Sequence, residues 1–180
     1  MFQVPGTDLV EHQSKLAGIP WVRVETEGLP EVEIDDLENA LSALEIDGIV
    51  SGALRSDYQK SRIERMAERL GIVSWTPLWH QNSLEHMRGL INNGFQIFIT
   101  GVSCEGLDNS WIGHTLTPES LAQLEQLSKK YRFNVDGEGG EYETLVVGGP
   151  HLPGHLELFG EVDWDGVRGV FEISSVQAIA

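Results

Sequence analysis

The chain has 180 residues, 41% hydrophobic and 22% charged, with a formal net charge of −16 and one cysteine. That length holds one domain with a good core or two small ones sharing an interface, and the composition is that of an ordinary soluble globular chain. The acid excess works against nucleic acid, whose binding is driven by Lys and Arg on phosphates; the lone Cys104 excludes an internal disulfide framework; and no apolar run approaches the roughly 20 residues that span a bilayer.

A surface this acidic is ordinarily a matter of solubility or of a salt-adapted host. A cationic substrate is a reading for one acidic site, not for the whole surface. The opening "MFQVPGTDLVEHQ" has no basic stretch leading into an apolar one, so no signal peptide is expected. With a single thiol, the expected setting is a reducing cytoplasm.

In chain order, "TDLVEHQSKLA" (7–17) predicts a helix capped by Asp8, with Glu11 as its box partner and Gly18 as its stop. "WVRVET" (21–26) alternates and is β-branched, which predicts a strand. In "EVEIDDLENALSAL", Ile34, Leu37, Leu41 and Leu44 share one helical face. "DGIVSG" (47–52) is a short apolar strand. "SDYQKSRIERMAERLG" is a helix with Ser56 or Asp57 as N-cap, a stripe at Ile63, Met66, Ala67 and Leu70, and Gly71 as its stop. "IVSW" is a strand closed by Pro77. Strands alternating with helices predict a parallel sheet with helices on its faces. The chain nonetheless opens on a helix, as if a preceding strand and loop were absent.

From residue 81 the pattern changes. "SLEHMRGLINNG" predicts a short helix, "FQIFITGV" a strand, and "TPESLAQLEQLSKKYR" a helix with Thr117 as N-cap and Pro118 in its first position. "TLVVGG", "LELFGEVDWDG" and "VRGVFEISSVQAI" read as strands separated by Gly-Gly and Asp-Gly turns. This half is α+β with a strand-rich tail. No Ser/Gly/Pro linker separates the halves, and there is no internal repeat.

Four segments carry candidate chemistry. In "SGALRSDYQKSR" (51–62) a parallel strand ends at Ser51-Gly52 and a helix begins near Ser56. Ligands of open α/β sheets bind beyond the carboxyl ends of the strands, and helix N-termini favour anions. Arg55, Lys60 and Arg62 add positive charge there; an ordinary capped strand–helix turn is the alternative. In "TPLWH" (76–80), Trp79 is an interface anchor or one wall of a pocket, and His80 a surface or capping histidine. "FNVDGEGGEYET" (133–144) places Asp136, Glu138, Glu141 and Glu143 among three glycines and beside Tyr142. Its glycine spacing is not the dinucleotide fingerprint. The loop is a solvated acidic turn, an aromatic–carboxylate cage for a cation, or a place where Mg²⁺ sits with water. Cys104, in "VSCEG", reads as a buried structural thiol.

Three segments in this order and spacing, "SGALRSDYQKSRIERMAERLGIVSWTPLWH", "GLDNSWIG" (106–113) and "GEGGEYETLVVGGP" (137–150), resemble the diphthine–ammonia ligases. These ATP-dependent enzymes finish diphthamide synthesis. The resemblance covers nearly the whole chain. It implies an adenine-nucleotide α-hydrolase (HUP, PP-loop ATPase) domain over 1–81 and a smaller α+β substrate domain over 82–180. It also implies amidation of diphthine, a modified histidine of translation elongation factor 2, through an acyl-adenylate that ammonia then attacks, with ATP and Mg²⁺ as cofactors. By similarity, Ser51, Gly52, Ser56, Asp57, Tyr58, Gln59 and Arg62 lie at the nucleotide side. Trp79, Gly137, Gly140 and Tyr142 lie at the diphthine side, with Glu138, Glu141 and Glu143 as candidate catalytic acids that surround the substrate's quaternary ammonium or bind incoming ammonium.

Members of the family begin with a strand and an "SGGKDS"-type loop that holds the ATP phosphates, and no such motif occurs in this sequence. The expectation is a strand–loop–helix unit of on the order of 30 residues ahead of Met1. The alternatives are a relative that binds nucleotide or elongation factor without ligation, and a ligase for a different carboxylate.

Overall fold

A computed structural model describes residues 7–29 and 31–179. It is a mixed α/β structure with a small parallel sheet and an antiparallel one, and it divides into two compact units that part between Gln81 and Asn82. The first described elements are a 3₁₀ turn, Thr7–Leu9, and helix α1 (Val10–Ala17). The N-cap of α1 is Leu9 with no side-chain cap, rather than Asp8; Gly18 closes it at φ 65° as expected. The helix was expected within the 1–81 segment, yet it groups with the second unit. There it packs on a later strand, and the Gln13 side-chain amide donates to the Val146 carbonyl at 2.7 Å.

Residues 21–26 were expected as a strand and form no regular element. Alternation alone does not hold a strand: its N–H and C=O groups need a neighbour, and none of the described strands pairs with this segment.

The first unit holds α2 (Val32–Ser42), β1 (Gly48–Val50), α3 (Asp57–Leu70) and β2 (Val73–Trp75). The N-cap of α3 is Ser56, whose hydroxyl accepts from the Gln59 amide, and Gly71 ends the helix in the left-handed conformation. The expected stripe is buried: Ile63 and Met66 meet Ile34 of α2, with Leu37, Leu41, Ile49 and Leu70 around them. Leu44 lies beyond the end of α2 and is exposed. The Arg69 guanidinium reaches across to Glu38 of α2 at 2.7 Å, and this partner holds the Glu38 carboxyl below its usual range. Strands β1 and β2 pair in parallel, Val50 opposite Trp75. Ile49 turns to the helices, while Val50, Val73 and Trp75 on the other face are 64%, 69% and 63% exposed.

The second unit holds α4 (Ser83–Asn92), β3 (Gln96–Val102), α5 (Pro118–Tyr131), β4 (Tyr142–Gly148), β5 (His155–Trp164) and β6 (Gly169–Ile179). The four strands close in the order β3-β4-β5-β6, all antiparallel. The Thr117 and Ser120 side chains each bond the other's backbone amide, giving α5 a reciprocal cap, with Pro118 next as expected. Ile97, Ile99 and Val102 of β3 share a core with Met87 of α4, Leu121 and Leu124 of α5, and Tyr142 of β4. A bulge at Thr100 shifts the β3–β4 register, so that Gly101 faces Glu143 and Val102 faces Tyr142. Asp165 builds the β5–β6 turn by accepting the amides of Val167 and Arg168, both at 2.9 Å.

Leu124 is fully buried at the centre of this core. Leu124→Ala is expected to lower unfolding free energy by about 3 kcal/mol through the lost transfer energy and the residual cavity. Urea unfolding followed by circular dichroism checks it; a loss below about 1 kcal/mol would place the core elsewhere.

Candidate functional site

In the first unit, the segments after β1 and β2 lie side by side. The Ser51 amide donates to the Trp75 carbonyl at 2.9 Å and the His80 amide to the Leu54 carbonyl at 2.7 Å, extending the pairing past the strand ends. Ala53 and Leu54 are buried, which seats the turn, and Gly52 is exposed above it. The Ser51 hydroxyl accepts from the Ala53 amide at 3.3 Å and the Ser56 hydroxyl from the Gln59 amide at 3.3 Å. Asp57 and Tyr58 occupy the first turn of α3, both exposed. Lys60 stands with its ammonium 5.2 Å from the Trp79 ring centroid, and the His80 ring stacks on the same indole at 4.7 Å. Trp79, expected with the diphthine side, therefore sits beside the helix start that was expected to serve the nucleotide.

Arg62 was expected to face a nucleotide and is engaged within the fold. Its guanidinium lies 3.5 Å from the centroid of the Tyr58 ring, donates to the Glu31 carboxylate, and reaches the Tyr58 carbonyl at 3.3 Å. What remains for an anion is the amide-rich start of α3 and two serine hydroxyls; the Lys60 ammonium beside them is paired with Glu64. That donor set fits a phosphate in kind.

In the second unit, the acidic loop is pinned by one of its own acids. Glu141 accepts from the Asn134 amide at 2.7 Å, the Asn134 side chain at 2.9 Å and the Gly139 amide at 2.7 Å. Gly137 and Gly140 hold φ of 73° and 80°, the left-handed region that suits glycine. Ser103 fastens the loop to the end of β3: its amide donates to the Glu141 carbonyl at 2.9 Å and its hydroxyl to the Gly140 carbonyl. Glu138 projects from the exposed tip.

Tyr142 corrects the aromatic cage reading. Its ring is buried, 3% exposed, and its hydroxyl donates to the Val135 carbonyl at 2.6 Å. Burial pushes the phenol well above its usual range, with the charges of Asp136 and Glu141 adding to the shift. Tyr142 is a core anchor for the loop and not an open wall. Glu141 likewise has both carboxylate oxygens turned to the loop.

Glu143 is placed differently. It alternates with Tyr142 along β4 and points to the other face, into a cavity of about 350 Å³ whose lining includes Gly101, Ser103, Asp163, Asp165 and Arg168. Glu143 is half-buried, and burial raises its carboxyl above the usual value. Among the described residues, no hydrogen bond or ion pair engages its carboxylate. Of the three expected acids, only Glu143 lines this cavity. Asp163 and Arg168 were not singled out from the sequence. The one available sign was Gly101 inside "FQIFITGV", because an isolated glycine in a strand marks a bulge or a close approach.

Both halves of the chain match models of one family: its N-terminal domain, described as "Diphthamide synthase N-terminal domain", over residues 1–74, and its "Diphthamide synthase C-terminal domain" over residues 82–179. The chain is 38% identical over 123 residues to the diphthine–ammonia ligase of Homo sapiens, covering 66% of this chain and 46% of that protein. It is 30% identical over 166 residues to the enzyme of that name from Danio rerio, covering 83% of this chain and 65% of that protein. With the Saccharomyces cerevisiae protein of the same name, identity is 29% over 191 aligned positions, covering 88% of this chain and 28% of that protein. The chain thus spans about half the length of the mammalian relatives it matches. Matched along nearly all its length by the two domains of a single family, the chain belongs to the diphthamide synthase family.

Proposed function

We propose that the protein carrying this chain is an ATP-dependent amide ligase that converts diphthine on translation elongation factor 2 to diphthamide in the cytoplasm. The observation that carries the reading is Glu143, an unpartnered, half-buried carboxylate in an acid-lined cavity of a diphthamide synthase chain. Diphthine presents a quaternary ammonium next to the carboxylate to be amidated. A carboxylate in a partly desolvated hollow favours a weakly hydrated cation, since burial strengthens the attraction. Ammonium is the second cation such a site would take.

On this reading the first unit is of the adenine-nucleotide α-hydrolase type, with its nucleotide side at the start of α3. Ser51, Gly52, Ser56 and the first amides of α3 would hold phosphate, with the Lys60 ammonium, shared with Glu64, beside them. ATP, when bound, supplies the adenylate that turns a poor electrophile into an acyl donor. Mg²⁺ would be held mainly by the nucleotide phosphates with one or two carboxylates; among the described residues no three His, Cys, Asp or Glu side chains gather into a metal cage. The contribution of the second unit is positioning and charge. Glu143 faces the substrate cation, Glu141 keeps the loop in shape, and Glu138 adds negative charge at the exposed tip.

The reading is tested with the native protein that carries this chain, ATP, ammonium and elongation factor purified from cells that lack the ligase. Amide at the modified histidine, seen by mass spectrometry, with AMP released in step, is the expected result. AMP formed with small carboxylic acids but not with the factor would overturn the choice of substrate. Binding of the factor without amide would overturn ligation.

Glu143 gives a prediction with a definite sign. A carboxyl whose folded pKa is raised binds more protons in the native state, so stability falls as pH rises from the unfolded value through the folded one. Glu143→Gln is therefore expected to be more stable than the parent at pH 7 and equal to it at pH 3, while KM for the factor rises about tenfold. Thermal melts at the two pH values and steady-state kinetics check this; a variant less stable at pH 7 would make Glu143 a structural residue.

Glu141→Gln should act oppositely. It replaces one acceptor with a donor facing N–H groups, costing about 1–2 kcal/mol of local stability. Faster amide exchange at Asn134 and Gly139 is the expected readout, and unchanged exchange there would remove Glu141 from its pinning role.

A further inference from the structure

The antiparallel register aligns four residues across four strands. Glu143 of β4 faces Gly101 of β3, Gly101 faces Val170 of β6, and Val170 faces Asp163 of β5. Residues directly opposite in a sheet share a face, so these four form one row. The adjacent row, Tyr142, Val102, Gly169 and Trp164, belongs to the core side. The cavity follows the first row, with Glu143 at one end, Asp163 at the other and Gly101 and Val170 between them, and it also touches Val102, Tyr142 and Gly169 of the second.

Backbone strain does not explain the glycine at its centre, because Gly101 is not among the positive-φ residues. Nor does crowding: a Cβ built there would meet its nearest atom, the Gly169 carbonyl oxygen, at 3.4 Å, an ordinary contact. A side chain at this position would instead fill the hollow. Val170 adds a partly exposed apolar surface beside it.

The charges divide by role. Asp165 is committed to the turn, accepting two amides and pairing with the Arg168 Nε at 3.4 Å. The Asp163 carboxylate, like that of Glu143, has no hydrogen bond or ion pair among the described residues. Arg168 stands at the rim with its side chain 75% exposed, so its guanidinium keeps donors for a further acceptor. A hollow with apolar floor, unpartnered carboxylates and one arginine matches a dipolar head group. Methylated ammonium packs on apolar surface near negative charge, and a carboxylate pairs with a guanidinium.

We propose that this hollow is a receptor for a betaine-type head group, with Glu143 and Asp163 facing the quaternary ammonium over Gly101 and Val170, and Arg168 binding the adjacent carboxylate as a specificity-determining residue. This deepens the proposed function and rests on it for the source of the ligand, the modified histidine of the factor. A free betaine carries the same chemistry.

The test titrates the chain with glycine betaine, choline and acetate, following backbone amides by NMR. Betaine is expected to shift Gly101, Ser103, Glu143 and Gly169, and to bind about tenfold more tightly than choline or acetate, the gain from one charge-assisted hydrogen bond partly open to water. Arg168→Gln should abolish the preference for betaine over choline, while Asp163→Asn weakens both. Gly101→Val should weaken all binding with the fold intact by circular dichroism. Betaine that leaves these amides unshifted, or a betaine-to-choline ratio unaffected by Arg168→Gln, overturns the proposal. The arms separate it from the reading it rests on. Amidation of the factor with an unchanged KM in Arg168→Gln and Asp163→Asn sinks the head-group receptor alone. Betaine binding as described, with no amide formed on the factor, sinks the ligase reading and leaves a site for free betaine.

Discussion

Val102 and Gly101 are neighbours on β3 and face opposite ways, and the second unit depends on that parity. Val102 stands opposite Tyr142 and Gly169 in the core, while Gly101 stands opposite Glu143 and Val170 on the outer face. A slip of one residue in this pairing would drive a carboxylate into the core and turn a tyrosine outward. The bulge at Thr100 is what sets the phase, since it lets Ile99 and Val102 both bury although three positions separate them. Core and cavity are two sides of one register.

The loop before β4 inherits its position from the same pairing. The Tyr142 ring anchors it from below through Val135, and Ser103, the residue after β3, holds it from the side. The Glu141 carboxylate then satisfies amides that a glycine-rich turn would otherwise leave open. Four acids in eight residues look equivalent in the sequence. The fold gives three of them separate tasks: Glu141 stabilises the loop, Glu143 faces the cavity and Glu138 stays at the exposed tip.

Local features were legible in the sequence because their physics is local. The Ser56 and Gly71 ends of α3 and the Thr117-Pro118 start of α5 each follow from neighbouring residues. What the sequence left unreadable needed a partner distant in the chain. Residues 21–26 have the alternation of a strand and no strand to pair with. The faces of α1 carry no mark that they pack beside β4 and β5. Arg62 looked available for a ligand because its bond to Glu31, at the start of α2, arises only when α2 meets α3, although its stacking on Tyr58 is a contact within α3 itself. The cavity escaped for the same reason: Glu143, Gly101, Val170 and Asp163 come from four strands, and only the register joins them.

Glu141 and Glu143 separate a structural acid from a functional one by their energetics. A carboxylate that accepts three hydrogen bonds from its own loop is worth keeping for the fold alone. A carboxylate half removed from water with no partner among the described residues opposes folding in its charged form. The chain has a net charge of −16, so it does not need another acid for solubility. A residue that costs stability in the empty protein is characteristic of a site that takes a ligand. A cation entering the hollow would supply the missing partner to Glu143. The stability the acid takes from the empty protein would then return as binding free energy, which is the linkage expected of a receptor for positive charge.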